Sequence, residues 1–232
     1  MVPPLLTELN GCPLEPSNYP HLDHQGRIWL TISTRQMPRS QGYRSDVSDG
    51  FIVLIDSEGS RIVADDIGYT NECCVHPSGD KLYVNETFSR RLSSYDIATN
   101  GDLSNKRTIA EFGHGTYPDG LTFDQAGGIW ITSIISNRVI RVSPDGEQSV
   151  ILEDANPEKL EWIEQAFLSG SLGRIHLDNS IGTQLGNISS LAFGGDDMKT
   201  VYLGCLLHDH VVTFRSPIPG WKPTHWQYSM GV

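Results

Sequence analysis

The sequence predicts an all-β fold, a β-propeller, on three observations. Segments starting at Asn18, Asn71 and Asp119 repeat one pattern: a short apolar strand, a polar turn containing glycine, and a second strand bearing Trp29, Tyr83 or Trp130. A weaker fourth copy starts at Ser189, with Gly194 at the turn and Tyr202 on the second strand. The first three copies recur at a spacing of roughly fifty residues, which points to propeller blades. Each copy also carries an oxygen-bearing side chain at the same offset before its turn. Equivalent positions of successive blades surround the central channel, so Asn18, Asn71, Asp119 and Ser189 are expected to converge although they are far apart in sequence.

At the N-terminus VPPLLTEL is one strand's worth of apolar residues. It is read as the outer strand of a blade whose other strands are absent, which would leave unpaired backbone along it. NYPHLDHQGRIWLT forms the first hairpin. The long loop TRQMPRSQGYRSDVSDG follows, with Arg35, Arg39 and Arg44, and FIVLIDSEGSRIVADD completes the blade. Loops of that length are often functional, so these arginines are candidates to shape a substrate pocket; solvation alone would also account for them. NECCVHPSGDKLYV and RRLSSYDIATNGDLSNKRTIAEF make the second blade, DGLTFDQAGGIWIT and NRVIRVSPDGEQSVILE the third. The SEG, NGD and PDG turns within these blades supply residues that tolerate the positive φ of tight hairpins. Trp29, Tyr83, Trp130 and Tyr202 recur with the blade and are expected between adjacent sheets.

NPEKLEWIEQAFLSG breaks the β pattern and predicts a short amphipathic helix near residues 157–169. Asn156 is its N-cap, Pro157 suits the first turn, and Glu158 and Glu161 complement the helix dipole. Leu160, Ile163 and Phe167 share one face, and Gly170 can end the helix. The helix interrupts the connection between the third and fourth blades, as a surface packing insert or as a cover over a channel mouth. The fourth blade runs through VYLGCLLHDHVVTFRS, with PTHWQYS as a candidate outer strand.

With 232 residues and no linker, the chain reads as a single domain, 1–232. A formal charge of −11 argues against binding a phosphate backbone, because nucleic-acid recognition needs a basic stripe that releases counterions. No apolar run is long enough to span a bilayer, and MVPPLLTELNGCP lacks a basic region followed by an apolar stretch, so a cytoplasmic location and no membrane partner are expected. Cys12, Cys73, Cys74 and Cys205 are too few and too irregularly spaced for a disulfide scaffold or zinc ribbon.

A ring of neutral oxygens with one carboxylate suits a hard cation such as calcium. The alternative is that Asn71 and Asp119 cap backbone groups at their strand starts, and Ser189 is read as a small channel-lining residue. His208, Asp209 and His210 fall where a hairpin turn is expected and lack zinc-ligand spacing. GHGTYPDG lacks the lysine of a phosphate-binding loop, and GSLG lacks the order of a nucleophile elbow.

The run from YTNECCVHPSGDKLYVNETF through YPDGLTFDQAGGIWIT and NRVIRVSPDG to LAFGGDDMKTVYLGC resembles the SMP-30/gluconolactonase family of six-bladed β-propeller lactonases. The resemblance implies a divalent ion in the channel held by a first-blade glutamate, an asparagine and an aspartate. Asn71 and Asp119 match the last two, and Asn18 matches an asparagine that contacts substrate or metal-bound water. It implies metal-dependent hydrolysis of a lactone or related cyclic ester, with Asp119 as the candidate catalytic carboxylate. Calcium is the expected cation, with zinc, manganese and magnesium as alternatives.

Two features depart from the family pattern. The metal-binding glutamate lies in N-terminal sequence that this chain does not contain, so about two blades are read as missing. Pro16 also stands where the family usually carries an arginine. A non-catalytic or truncated binding propeller is therefore the rival expectation, and the faces left open predict association, for instance as a homodimer.

Overall fold

The computed structural model describes residues 5–179 and 182–227, and nearly all of its regular structure is β. Two short strands, β1 (Glu8–Leu9) and β2 (Cys12–Pro13), form a hairpin. Three four-stranded antiparallel sheets follow, each a meander in chain order from the channel outward. The first blade comprises β3 (Ser17–Leu22), β4 (Ile28–Ile32), β5 (Gly50–Asp56) and β6 (Gly59–Ile67). The second comprises β7 (Thr70–Val75), β8 (Lys81–Glu86), β9 (Arg91–Ile97) and β10 (Leu103–Glu111). The third comprises β11 (Thr116–Phe123), β12 (Ile129–Ile135), β13 (Arg138–Val142) and β14 (Gln148–Glu153). Helix α1 (Pro157–Leu168) and one further turn, α2 (Arg174–Leu177), lead to a three-stranded fourth blade of β15 (Ile188–Gly194), β16 (Thr200–Cys205) and β17 (Val212–Arg215).

The blades stack because successive residues of a strand point to opposite faces. On β5, Phe51 and Val53 face the N-terminal hairpin, packing with Leu14 and Ile32, while Ile52 and Leu54 face the second blade. There they meet Trp29, Cys73, Val75, Leu82 and Val84. In the same way Ile129 and Ile131 join the layer between the second and third blades, and Trp130 between them joins the layer against Phe193 and Val201 of the fourth.

A buried carboxylate recurs in the first and third blades. Asp23 accepts from the Gln25 and Arg27 amides at 2.8 and 3.0 Å, from Trp29 Nε1 at 2.9 Å and from Arg27 Nε at 2.7 Å. At the same place in the third blade, Asp124 does the same for Ala126 N, Gly128 N and Trp130 Nε1, with Arg141 supplying the guanidinium at 2.6 Å. Each aspartate thus closes the hairpin turn and ties it to the indole of the next strand. Hydrogen bonds from the indole and guanidinium hold both carboxyls below the usual range even though burial opposes ionisation.

Three expectations are corrected. VPPLLTEL is not the outer strand of a blade: of its described residues only Glu8–Leu9 are strand, paired with Cys12–Pro13, and Leu6, Leu9 and Cys12 cover the outer face of the first blade. PTHWQYS does not extend the fourth blade; Thr224–Gln227 form a 3-10 turn, and Tyr228 and Ser229 lie outside the described residues. Tyr202 is not core but 41% exposed, because no described residue packs that face as Phe193 packs Trp130.

Helix α1 forms as expected: Asn156 Oδ1 accepts from Lys159 N at 3.0 Å and Pro157 opens the first turn. Its apolar face, Leu160, Ile163, Ala166 and Phe167, is buried against Tyr43, Tyr69, Phe88 and Tyr117. The buried Glu164 on the same face makes a bidentate pair with Arg90 at 2.8 and 2.5 Å and also accepts from Tyr117 Oη. Tyr69 and Tyr117 stand two residues before Asn71 and Asp119, so the helix lies over the mouth of the channel at the ring end. Among the described residues no helix is long and apolar enough to cross a membrane.

Candidate functional site

All four inner strands are irregular at the same place. The register of β3 on β4 slips between Ser17 and Pro20, that of β7 on β8 between Thr70 and Cys73, and that of β11 on β12 between Pro118 and Leu121. On β15 the slip falls between Ile188 and Ser190. A β-bulge therefore sits at Asn18, Asn71, Asp119 and Ser189 in turn. An extra residue at a bulge bends the strand and re-aims its side chain, which strict alternation would direct into the layers between blades. Blade hydroxyls satisfy the amides left over: Tyr19 N donates to Thr31 Oγ1 at 3.0 Å and Gly120 N to Thr132 Oγ1 at 2.8 Å.

Hydrogen bonding orients the two asparagine amides. Asn71 Nδ2 donates to Thr87 Oγ1 at 2.9 Å, and that hydroxyl spends its own proton on Pro118 O at 2.8 Å. Thr87 can therefore only accept from Asn71, which turns Asn71 Oδ1 away from it. Asn71 Oδ1 is buried with no hydrogen-bond partner. Asn18 repeats the arrangement one blade earlier, donating to Ser33 Oγ at 3.0 Å and to Thr70 O, but Asn18 is exposed.

Asp119 lies beside Asn71. Its side chain is enclosed closely enough by protein that burial pushes its pKa up to about 8, with the charge of Arg39 and the Asn71 amide opposing the rise. Some of its surface still reaches the channel, as its half-buried position on β11 shows. The site also holds a second carboxylate. Glu72 accepts from Leu121 N at 3.0 Å, and burial together with the neighbouring charge of Asp119 holds its pKa well above the usual range.

The structure thus brings Asn71 and Asp119 together, sets Asn18 on the adjoining strand at the rim, and places the Ser189 carbonyl against Gly120 on the far side. It also adds what sequence reasoning missed. Glu72 shares the face of Cys74, toward the third blade, and only the fold shows that this face brings it beside Asp119. Ser33 and Thr87 fall at one offset after Trp29 and Tyr83, a signal the repeat did contain. Beyond the ring, toward the blade turns, the channel widens into a cavity of about 390 Å³ lined by Tyr19, His21, Cys74, His76, Phe123 and Trp221 among others.

Among the described residues no cluster of three or more histidine, cysteine, aspartate or glutamate side chains is arranged to hold a metal ion. A hard cation nevertheless fits the donor set that is present. An unpartnered amide oxygen beside a carboxyl too desolvated to ionise readily are two oxygens that a divalent ion satisfies.

The profile of the family described as the SMP-30/Gluconolactonase/LRE-like region matches residues 4–156. A 6-deoxy-6-sulfogluconolactonase of Pseudomonas putida is 27% identical over 185 residues, 78% of this chain and 51% of that protein. The chain spans about half the length of the curated relatives it matches. Among solved structures, a luciferin-regenerating enzyme superposes with a TM-score of 0.65 at 17% identity, covering 90% of this chain and 64% of that one. A calcium-binding regucalcin from Agrobacterium tumefaciens superposes with a TM-score of 0.59 at 18% identity, covering 88% and 61%. At such identities the solved structures bear on the fold alone.

Proposed function

The chain belongs to the SMP-30/gluconolactonase/LRE-like family, and on that premise we propose that it is a divalent-cation-dependent hydrolase of lactones or related cyclic esters. The observation that carries the reading is the orphaned Asn71 Oδ1 beside the desolvated carboxyl of Asp119, at a bulge that recurs in every blade. The lactonase relative suggests the substrate class, and an all-oxygen donor set favours a hard cation, calcium first.

When bound, a divalent cation polarises the ester carbonyl and makes a water nucleophilic at neutral pH. Asn71 and Asp119 would hold it, and Thr87 keeps the Asn71 amide turned so that its oxygen is offered. On cation binding Asp119 would release to solvent the proton that burial otherwise retains and, as a carboxylate, orient the attacking water. Asn18, at the rim, positions the substrate through its carboxamide oxygen while its nitrogen is committed to Ser33 and Thr70. The wall formed by Tyr43, Tyr69, Tyr117 and α1 shields the mouth from bulk water.

Calorimetric titration with calcium, followed by pH-stat assay of D-glucono-1,4-lactone with and without chelator, tests the reading. One bound ion and chelator-sensitive turnover are expected, both lost in Asp119→Ala. Binding of calcium without turnover of any lactone would make the chain a cation-binding propeller instead.

A further inference from the structure

The loop between β4 and β5 is held rigidly by its own polar network. Asp49 accepts from Thr34 Oγ1 at 2.5 Å and from Gln36 Nε2 at 2.7 Å, and Arg35 donates to Asp49 O at 2.6 Å. Arg35 also forms a bidentate pair with Asp65 at 2.7 and 2.9 Å and lies over the Phe51 ring. Arg44 pairs with Asp46. Between them, the 3-10 turn Arg39–Gly42 leads into Tyr43, which is buried edge-on against Tyr69, ring centroids 5.4 Å apart, and tilted against Phe88 at 4.9 Å. Since Tyr69 stands two residues before Asn71, this packing fixes the Arg39 turn at the ring end of the channel.

Arg39 is the exception among the arginines. Every other arginine of the chain is ion-paired with an aspartate or glutamate, whereas Arg39 has no such partner among the described residues. Arg90, the other guanidinium near this mouth, is committed to Glu164. The Tyr43 and Tyr69 hydroxyls are buried beside the Arg39 guanidinium, with no carboxylate or backbone partner among the described residues. The charge of Arg39 acts on both phenols and on Asp119. In a chain of net charge −11, a guanidinium held beside two phenols at a channel mouth with no carboxylate in ion-pair contact needs a reason.

Resting on the lactonase reading above, we propose that Arg39 is a specificity-determining residue that recognises an oxyanion substituent, a carboxylate or a sulfonate, carried by the lactone away from its reacting carbonyl. A guanidinium presents a planar fork that matches two oxygens of such a group, and charge-assisted hydrogen bonds of this kind discriminate strongly because losing one partner strands the other. The buried Tyr43 and Tyr69 rings back the guanidinium and hold its turn in place.

The test compares D-glucaro-1,4-lactone, which bears a carboxylate, with D-glucono-1,4-lactone, which bears a hydroxymethyl at that position, and adds 6-deoxy-6-sulfogluconolactone as the sulfonate arm. The quantity read is the ratio of kcat/KM for charged over neutral lactone in calcium-loaded protein. Arg39→Gln should lower that ratio about 10- to 100-fold, Arg39→Lys by less because the charge is kept and the fork is lost, and Arg44→Gln not at all. Whichever anionic arm falls further identifies the substituent. An unchanged ratio in Arg39→Gln overturns the proposal, as does a wild-type preference for the neutral lactone. Should no lactone turn over, the lactonase reading fails, and calorimetry then decides for Arg39. Binding of D-glucaro-1,4-lactone at least about 10-fold weaker in Arg39→Gln supports its role, and equal binding overturns it.

Discussion

His21 joins the first two blades at the inner strands. Its Nε2 accepts from Val75 N at 3.2 Å, which requires that nitrogen to be unprotonated. Burial lowers its pKa from 6.5 to about 4, against the attraction of Asp23. A histidine depressed in the folded state favours folding above its unfolded pKa, and that advantage is lost as pH falls, because the unfolded chain binds the proton first. The window therefore opens near 6.5 and closes near 4. Between pH 7 and pH 5 the loss comes to about 2 kcal/mol, near the upper bound for a group that keeps some solvent contact. His21→Gln supplies an amide oxygen that can accept from Val75 N and does not titrate. Urea unfolding at pH 7 and pH 5 should show wild type losing about 2 kcal/mol more than the variant over that interval. Other groups, His76 among them, contribute equally to both proteins, so equal losses would refute the latch.

Because Asp119 retains its proton up to about pH 8 without a cation, calcium must displace that proton; its affinity should rise up to about tenfold per unit from pH 6 to 8, and a flat titration series would remove Asp119 from the ligand set. Calcium should also raise the melting temperature of wild type and not of Asp119→Ala, read by differential scanning fluorimetry. Asp124→Asn leaves Arg141 without its buried partner and should cost about 3–5 kcal/mol by denaturant titration; a loss under 1 kcal/mol would contradict the turn-locking role. Deleting residues 5–13 uncovers Phe51 and Val53, so light scattering should show association beyond that of the intact chain.

Much of this molecule was legible from periodicity. The offset shared by Asn18, Asn71, Asp119 and Ser189 is a local property of each strand-turn unit, and propeller symmetry converts equal offsets into neighbouring positions. Helix α1 was readable for the same reason: its cap, its proline and its apolar stripe lie within one short segment. What the sequence could not decide depends on contacts between distant segments. Glu72 joins the site through its contact with Leu121 of the third blade, beside Asp119, and VPPLLTEL becomes a cover for the first blade because Phe51 and Val53 present it with an apolar face. Tyr202 shares the register of Trp29 and Trp130 yet is exposed, since burial depends on what packs opposite and not on the residue. Arg35, Arg39 and Arg44 look alike along the chain; only the folded positions of Asp65 and Asp46, and the lack of any carboxylate within ion-pair distance of Arg39 among the described residues, separate two ion-paired arginines from one that is not. Charge pairing is set by distance in space, and the fold alone sets that distance.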